Sequence, residues 1–271
     1  MQSFPTGGYY PASAPGTSKH RIVILNTVFF STDYRNQCGD TTQAAINCAG
    51  WLRNCRTRQI KATRSGSFIT FHTASMPTTV SSRRAVTQWR KSSRSGNPIT
   101  RRSSWPLLDQ YRDTIQSMLA GHTHMDYFRL GPYGVSGRPT TFLLVTPGIS
   151  PIFGNNPGLH VLSYDRKAFS ILDYATHRLD LSAGSSADWR EEYRFSQVYR
   201  LFPVTGTTLK TLSRSLKEEP HTRATYIEYY NVVGNPAMPQ MTDQTWPLYW
   251  CAIDYLTAPP FRTCVENFSR L

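Results

Sequence analysis

Between residues 41 and 108 there is neither aspartate nor glutamate. A formal charge of +13 invites a nucleic-acid or anionic-surface partner. Yet of the 30 Lys and Arg, 12 fall in this one stretch, which leaves 18 basic residues against 17 acidic ones in the rest of the chain. A basic nucleic-acid-binding protein would have to use the Arg/Ser-rich 41–108 segment, because the remainder is nearly neutral. Long apolar runs are also missing. None approaches the roughly 20 residues that span a bilayer, so no transmembrane segment is expected. The opening stretch MQSFPTGGYYPASAPGTSKH has no apolar h-region, so no signal peptide is expected on the chain as written.

What is present is globular: 39% hydrophobic and 13% aromatic residues over 271 positions can build a core. The acid-free segment does not share that character. It holds ten Ser and ten Thr and shows no sustained helical or strand period. Trp51, Phe68, Phe71, Trp89 and Trp105 are scattered through it, which solvating tails avoid. So long a structureless insert inside a compact domain argues against an ordinary domain sequence over about 41–106.

On either side the periodicities are regular. Arg21 to Phe30 is β-branched and apolar on both alternating faces, which predicts a buried strand of an α/β sheet. Asp109 to Leu119 predicts a helix with Tyr111, Ile115 and Met118 or Leu119 on one side. Tyr127 to Leu130 and Thr140 to Val145 read as strands, and Leu159–Tyr164 with Phe169–Tyr174 as a hairpin. From Ser185 the period turns helical, placing a boundary between parts 1–184 and 185–271. Asp188 and Glu191 suggest a capping box, followed by a Phe195, Val198, Tyr199, Phe202 stripe. Leu209, Leu212 and Leu216 form a second stripe; the aromatic stripes from Trp246 and from Phe261 form two more, all read as core packing. Cys251 and Cys264 lie on the last two expected helices, so a disulfide between them is geometrically reasonable and two buried free thiols are the alternative. The disulfide would imply an oxidising compartment.

The chemistry concentrates in Gly121-His122-Thr123-His124-Met125-Asp126. Neutral imidazole is the commonest metal ligand, and two at i and i+2 on extended chain share a face. A preceding glycine lets backbone approach what they hold. The bland reading is a surface turn that happens to carry two histidines.

Several separated stretches resemble one family in the right order. They are Gly7-Gly8-Tyr9-Tyr10 with Arg21 to Thr27, the Gly121 to Phe128 stretch, Asn156-Pro157-Gly158, Leu172-Asp173-Tyr174, and the ending Trp250 to Cys264. Together they resemble the calcineurin-like metallophosphoesterases of the acid sphingomyelinase-like branch, over residues 1–40 and 107–271. The resemblance implies an α/β fold: the C-terminal half of the family's sandwich, then a helical C-terminal subdomain. It also implies two divalent metal ions, usually zinc, that polarise a phosphoester while a bridging hydroxide attacks phosphorus. His122 and His124 match the last two metal-binding histidines of that family. No residue of this chain is matched to a catalytic role. The parent is expected to take a phosphoester substrate and no nucleic acid, in a secreted, periplasmic or lysosome-like setting.

The departures are as informative. The family's earlier metal-binding motifs belong upstream of Gly7-Gly8-Tyr9-Tyr10, and a His-Ile-Pro motif expected between Asn26 and His122 is missing. Read one frame over, Phe68 to Thr78 can encode His-His-Ile-Pro-Tyr-Gly-Ile-Asp-Ala-Tyr, with Met76-Pro77 forcing the Ala. The same shift lets Ile46 to Trp51 encode Gln-Leu-Arg-Trp-Leu, similar to the helix before that motif. Residues from about 41 to 106 therefore read as a frame-shifted translation, with a natural basic insert as the alternative, and the chain as a C-terminal portion expected to be inactive alone.

Overall fold

The computed structural model describes residues 10–15, 20–25, 67–72 (backbone only), 115–131, 141–236, 241–255 and 258–268. It is a mixed α/β fold. One sheet has six strands in the order β1-β2-β3-β4-β6-β5: β1 Tyr10–Ser13, β2 Arg21–Ile24, β3 Ser67–His72, β4 Ser117–Gly121, β5 Tyr127–Leu130 and β6 Phe142–Val145. Strands β2, β3, β4 and β6 run parallel, with β1 and β5 antiparallel at the two edges. A second sheet is the antiparallel meander of β7 Gly158–Tyr164, β8 Ile171–Leu179 and β9 Trp189–Arg194. The described helices are α1 Phe195–Tyr199, α2 Gly206–Glu218, α3 Pro220–Tyr230, α4 Trp246–Asp254 and α5 Ala258–Phe268.

Three local expectations are corrected. Ser117–Gly121 is a strand where a helix was expected over 109–119. With Ser117, Met118 and Ala120 buried and both its neighbours parallel, β4 is apolar on both faces, and such a run is indistinguishable by period from a buried helix. Residues 109–114 of that expectation lie outside the described residues. Trp189–Arg194 is likewise a strand, because alternate residues extend the β7-β8 hairpin by one pairing, so the second sheet crosses the boundary expected at 185. Asp188 accepts from the Trp189 amide instead of capping a helix; α1 is served by Asp173 of β8, which accepts from Ser196 N at 3.1 Å.

The third concerns the segment expected to be irregular. The backbone of Ser67–His72 is a parallel strand in mid-sheet, paired with β2 and β4. Phe68-Ile69-Thr70-Phe71 is β-branched and aromatic, enough for a strand, but too short to stand out from the Ser/Thr/Arg composition around it. The rest of 41–106, with Trp51, Trp89 and Trp105, lies outside the described residues, as does the end of the expected first strand past residue 25.

The core joins both sheets and the helices. Phe128, Leu130, Leu144 and Val145 of the first sheet, Ile171 and Tyr174 of the second, and Phe195 of α1 are buried in one cluster. Burying each such side chain contributes about 1.5–3 kcal/mol. In α2 the Leu209, Leu212, Leu216 stripe is buried as its spacing requires, and the helix starts at a capping box of Thr205 and Thr208. Trp246, Tyr249 and Ile253 bury the inner face of α4. The α4-α5 pair is closed by a Cys251–Cys264 disulfide with Cα atoms 5.9 Å apart, so of the two sequence readings the disulfide is the one observed.

Candidate functional site

Four parallel strands point their carboxyl ends the same way, and in open α/β sheets that edge is where ligands bind. Here β4 ends at Gly121 and delivers His122-Thr123-His124, while the adjacent β6 ends at Val145 and delivers the loop Thr146 to Asn155. The junction is tied by backbone: Thr146 N donates to Ala120 O at 2.8 Å. Register also sets the backbone of His72, last residue of β3, beside Gly121.

The histidines are not on extended chain. His122 has φ 104° and His124 φ 64°, so the expectation that an i, i+2 spacing on extended backbone aligns them is corrected: the chain kinks at both residues. Positive φ at a residue other than glycine costs on the order of 1–3 kcal/mol and persists only where surroundings enforce it. For His124 the enforcement comes from the β6 loop. Its Nδ1 lies 2.7 Å from Ser150 O, and its ring meets Phe153 edge-on at 5.1 Å. A carbonyl only accepts, so the bonded Nδ1 carries a proton. That is how metal-ligating imidazoles are oriented: the far nitrogen binds, the near one donates to a backbone carbonyl or a carboxylate. Ser150 O is itself fixed by Asn155 Nδ2 at 3.1 Å.

Asn156 secures the other side. Its Nδ2 donates to Val232 O at 3.1 Å and Val233 O at 2.8 Å, and its Oδ1 accepts from Leu181 N at 3.1 Å. The Asn-Pro-Gly stretch therefore ties the β6-β7 loop to the backbone just past α3.

Behind the histidine turn lies a buried polar cluster that local sequence patterns did not disclose. Asp126, 4% exposed, accepts through Oδ2 from Thr176 Oγ1 at 2.6 Å and Tyr193 OH at 2.9 Å. Its Oδ1 is 3.0 Å from His160 Nε2, an ion-pair distance in which the ring N–H does not point squarely at the oxygen. Burial first, and then the Asp126 charge, push the Tyr193 phenol well above its usual range, so it remains a neutral donor. The only local sign was polar residues, His160 and Thr176, inside strands that otherwise read as core.

As to metal, the donor chemistry of the two imidazoles fits a divalent cation. Among the described residues, however, no group of three or more His, Cys, Asp or Glu converges to complete a ligand set.

Residues 141–270 match the family model described as the acid sphingomyelin phosphodiesterase C-terminal region. Mouse acid sphingomyelinase-like phosphodiesterase 3b is 24% identical over 277 residues, covering 97% of this chain and 58% of that protein. These matches support a likeness to the acid sphingomyelinase-like branch of the metallophosphoesterases. Sphingomyelinase phosphodiesterase C of Dictyostelium discoideum is 26% identical over 254 residues, covering 87% of this chain and 53% of that protein. A bovine protein named as a cyclic GMP-AMP phosphodiesterase is 24% identical over 234 residues, covering 83% of this chain and 48% of that protein. The chain thus spans about half the length of the curated relatives it matches. Among the described residues, no helix is long and apolar enough to cross a membrane.

Proposed function

We propose that this chain is the C-terminal portion of a two-metal phosphoesterase that hydrolyses phosphodiesters or phosphomonoesters, and that alone it has no turnover. The observation that carries the reading is His124, presented at the carboxyl end of β4 with Nδ1 committed to Ser150 O, which leaves Nε2 as the nitrogen for a metal. His122 is the second ligand from the same turn. The metals are two divalent ions, zinc by family precedent, and when bound they polarise the phosphoryl group and supply the attacking hydroxide. The sandwich architecture is that of the calcineurin-like enzymes, followed by the helical part. Relatives named as an acid sphingomyelinase-like phosphodiesterase and a cyclic GMP-AMP phosphodiesterase support a phosphodiester substrate. The Cys251–Cys264 bridge supports a parent that works in an oxidising compartment, secreted, periplasmic or lysosome-like.

Residues from about 41 to 106 are a frame-shifted translation standing in place of native sequence. In support, the match to the mouse relative covers 97% of the chain and so runs through the segment instead of stopping at its borders. No nucleic-acid partner is assigned, since the charge that would attract one belongs to that segment.

The test has two parts. Sequencing the DNA across codons 40 to 108 decides the frame. Turnover is then measured on a phosphodiester and a phosphomonoester, with and without zinc. The 271-residue chain should show none above background, whereas a frame-restored chain carrying the upstream motifs should turn over and lose it on His122→Ala or His124→Ala. Metal-dependent hydrolysis by the 271-residue chain, abolished by either substitution, would overturn the inactive-portion reading.

A further inference from the structure

We infer that Asp126 is the positioning residue of the histidine pair, fixing the turn from behind so that His122 and His124 hold their left-handed backbone; the inference rests on the metal reading above. The turn is anchored at its start by the pairing of β4 and in its middle by the His124 to Ser150 bond. Its far end is Asp126, the last residue before β5.

That one side chain reaches every strand of the second sheet. Its partners are His160 of β7, Thr176 of β8 and Tyr193 of β9, at 3.0, 2.6 and 2.9 Å. Its backbone amide also donates to Tyr230 O at the end of α3, at 2.8 Å. Two hydroxyl donors on one oxygen and an imidazole beside the other leave the carboxylate little freedom to rotate or withdraw. Since only Met125 separates Asp126 from His124, a side chain held in this way fixes the direction in which the chain leaves the histidine turn. The second sheet thereby sets the geometry of an imidazole pair carried by the first.

A carboxylate serving stability alone would, on replacement, lower the melting temperature and leave the folded turn as it was. A positioning carboxylate changes the turn while the fold survives, and that difference is measurable on the full 271-residue chain. Zinc alone is titrated by competition calorimetry, and the imidazole nitrogens and histidine amides are followed by NMR. In Asp126→Asn the amide oxygen can keep the two hydroxyls, but the charge is lost and an NH2 replaces the oxygen beside His160 Nε2. The zinc Kd is expected to rise about 10- to 100-fold, the range typical of lost outer partners of metal ligands, with loss of the hydrogen-bonded His124 Nδ1–H signal and native near-UV circular dichroism retained. Tyr193→Phe keeps the ring stacked on Tyr229 at 4.5 Å and removes one donor. It should move the same readouts in the same direction by about 2- to 12-fold, and it carries the test should Asp126→Asn fail to fold.

The inference is overturned if the folded variants keep wild-type zinc affinity, His124 Nδ1–H signal and histidine amide exchange. A wild-type chain that binds no zinc refutes the metal reading instead. In that case the Nδ1–H signal and amide exchange of His122 and His124 still decide whether Asp126 positions them.

Discussion

A Cβ on Gly148 would stand 2.6 Å from Cγ of His124 and 2.9 Å from Cδ2. The histidine ring lies against bare backbone, which is what brings its Nδ1 within bonding distance of Ser150 O two residues on. Gly148→Ala should therefore push the ring off that carbonyl, at a cost of about 1–3 kcal/mol for forced overpacking. Urea unfolding gives the cost, and imidazole NMR gives the loss of the Nδ1–H. An alanine variant with wild-type stability and an intact Nδ1–H signal would show that the loop gives way without effort.

Asn156 presents a different kind of dependence. Its side chain serves two carbonyls and one amide on segments 76, 77 and 25 residues away, next to Val232 and Val233 with φ of 59° and 41°. Buried polar groups left without partners cost about 1–3 kcal/mol each, so Asn156→Ala should lose at least ~2 kcal/mol. Faster hydrogen exchange should follow around residues 231–235. Unchanged exchange there would show that water takes over the amide's role.

Glu192 makes stability fall as pH rises. Burial first, then repulsion from Asp126, opposed by Arg178 and assisted by Glu228, lifts its carboxyl from the ordinary 4.5 to about 8. Its side chain is 2% exposed, and Arg178 Nε stands 3.9 Å from Oε1, too far for a hydrogen bond. Between pH 4.5 and 8 the folded chain holds a proton that the unfolded chain has released, so stability declines across that window and this contribution is level below it. The full decline is on the order of a few kcal/mol. Glu192→Gln should flatten it, which unfolding midpoints measured from pH 4 to pH 9 would reveal. An equal slope in the variant would assign the pH dependence to another group.

Reduction of Cys251–Cys264 should weaken the last helical pair. The bridge closes a 13-residue separation, and loops of that size contribute about 3 kcal/mol in the chain-entropy account. Melting with and without a reductant measures it, with Cys264→Ser as the permanent form. Because α5 packs largely through Phe261 and Phe268 against α4, the sheet core should keep its near-UV signal. Collapse of the whole fold on reduction would show that α4 and α5 are needed to hold the sheets.

Sequence alone determined the elements whose signal is local. The alternation of Leu159–Tyr164 and its partner gave the hairpin, since one face of an antiparallel pair meets the core and the other meets water. The Leu209, Leu212, Leu216 spacing gave α2, and the two cysteines on adjacent helices offered the bridge as one of two readings. The His-Thr-His turn was legible as a candidate metal site from its residue types and the preceding glycine, a reading that stands as the proposal above. Tertiary structure decided what local period cannot carry. Ser117–Gly121 became a strand because parallel neighbours bury both its faces, and Trp189–Arg194 because an open edge of β8 was there to pair with. The left-handed backbone at His122 and His124, the proton on Nδ1 and the grip on Asp126 depend on residues 26, 50 and 67 positions away along the chain. A hydrogen bond across that distance is chosen by how the sheets pack, and nothing in the six residues of the turn encodes which carbonyl or hydroxyl will stand there.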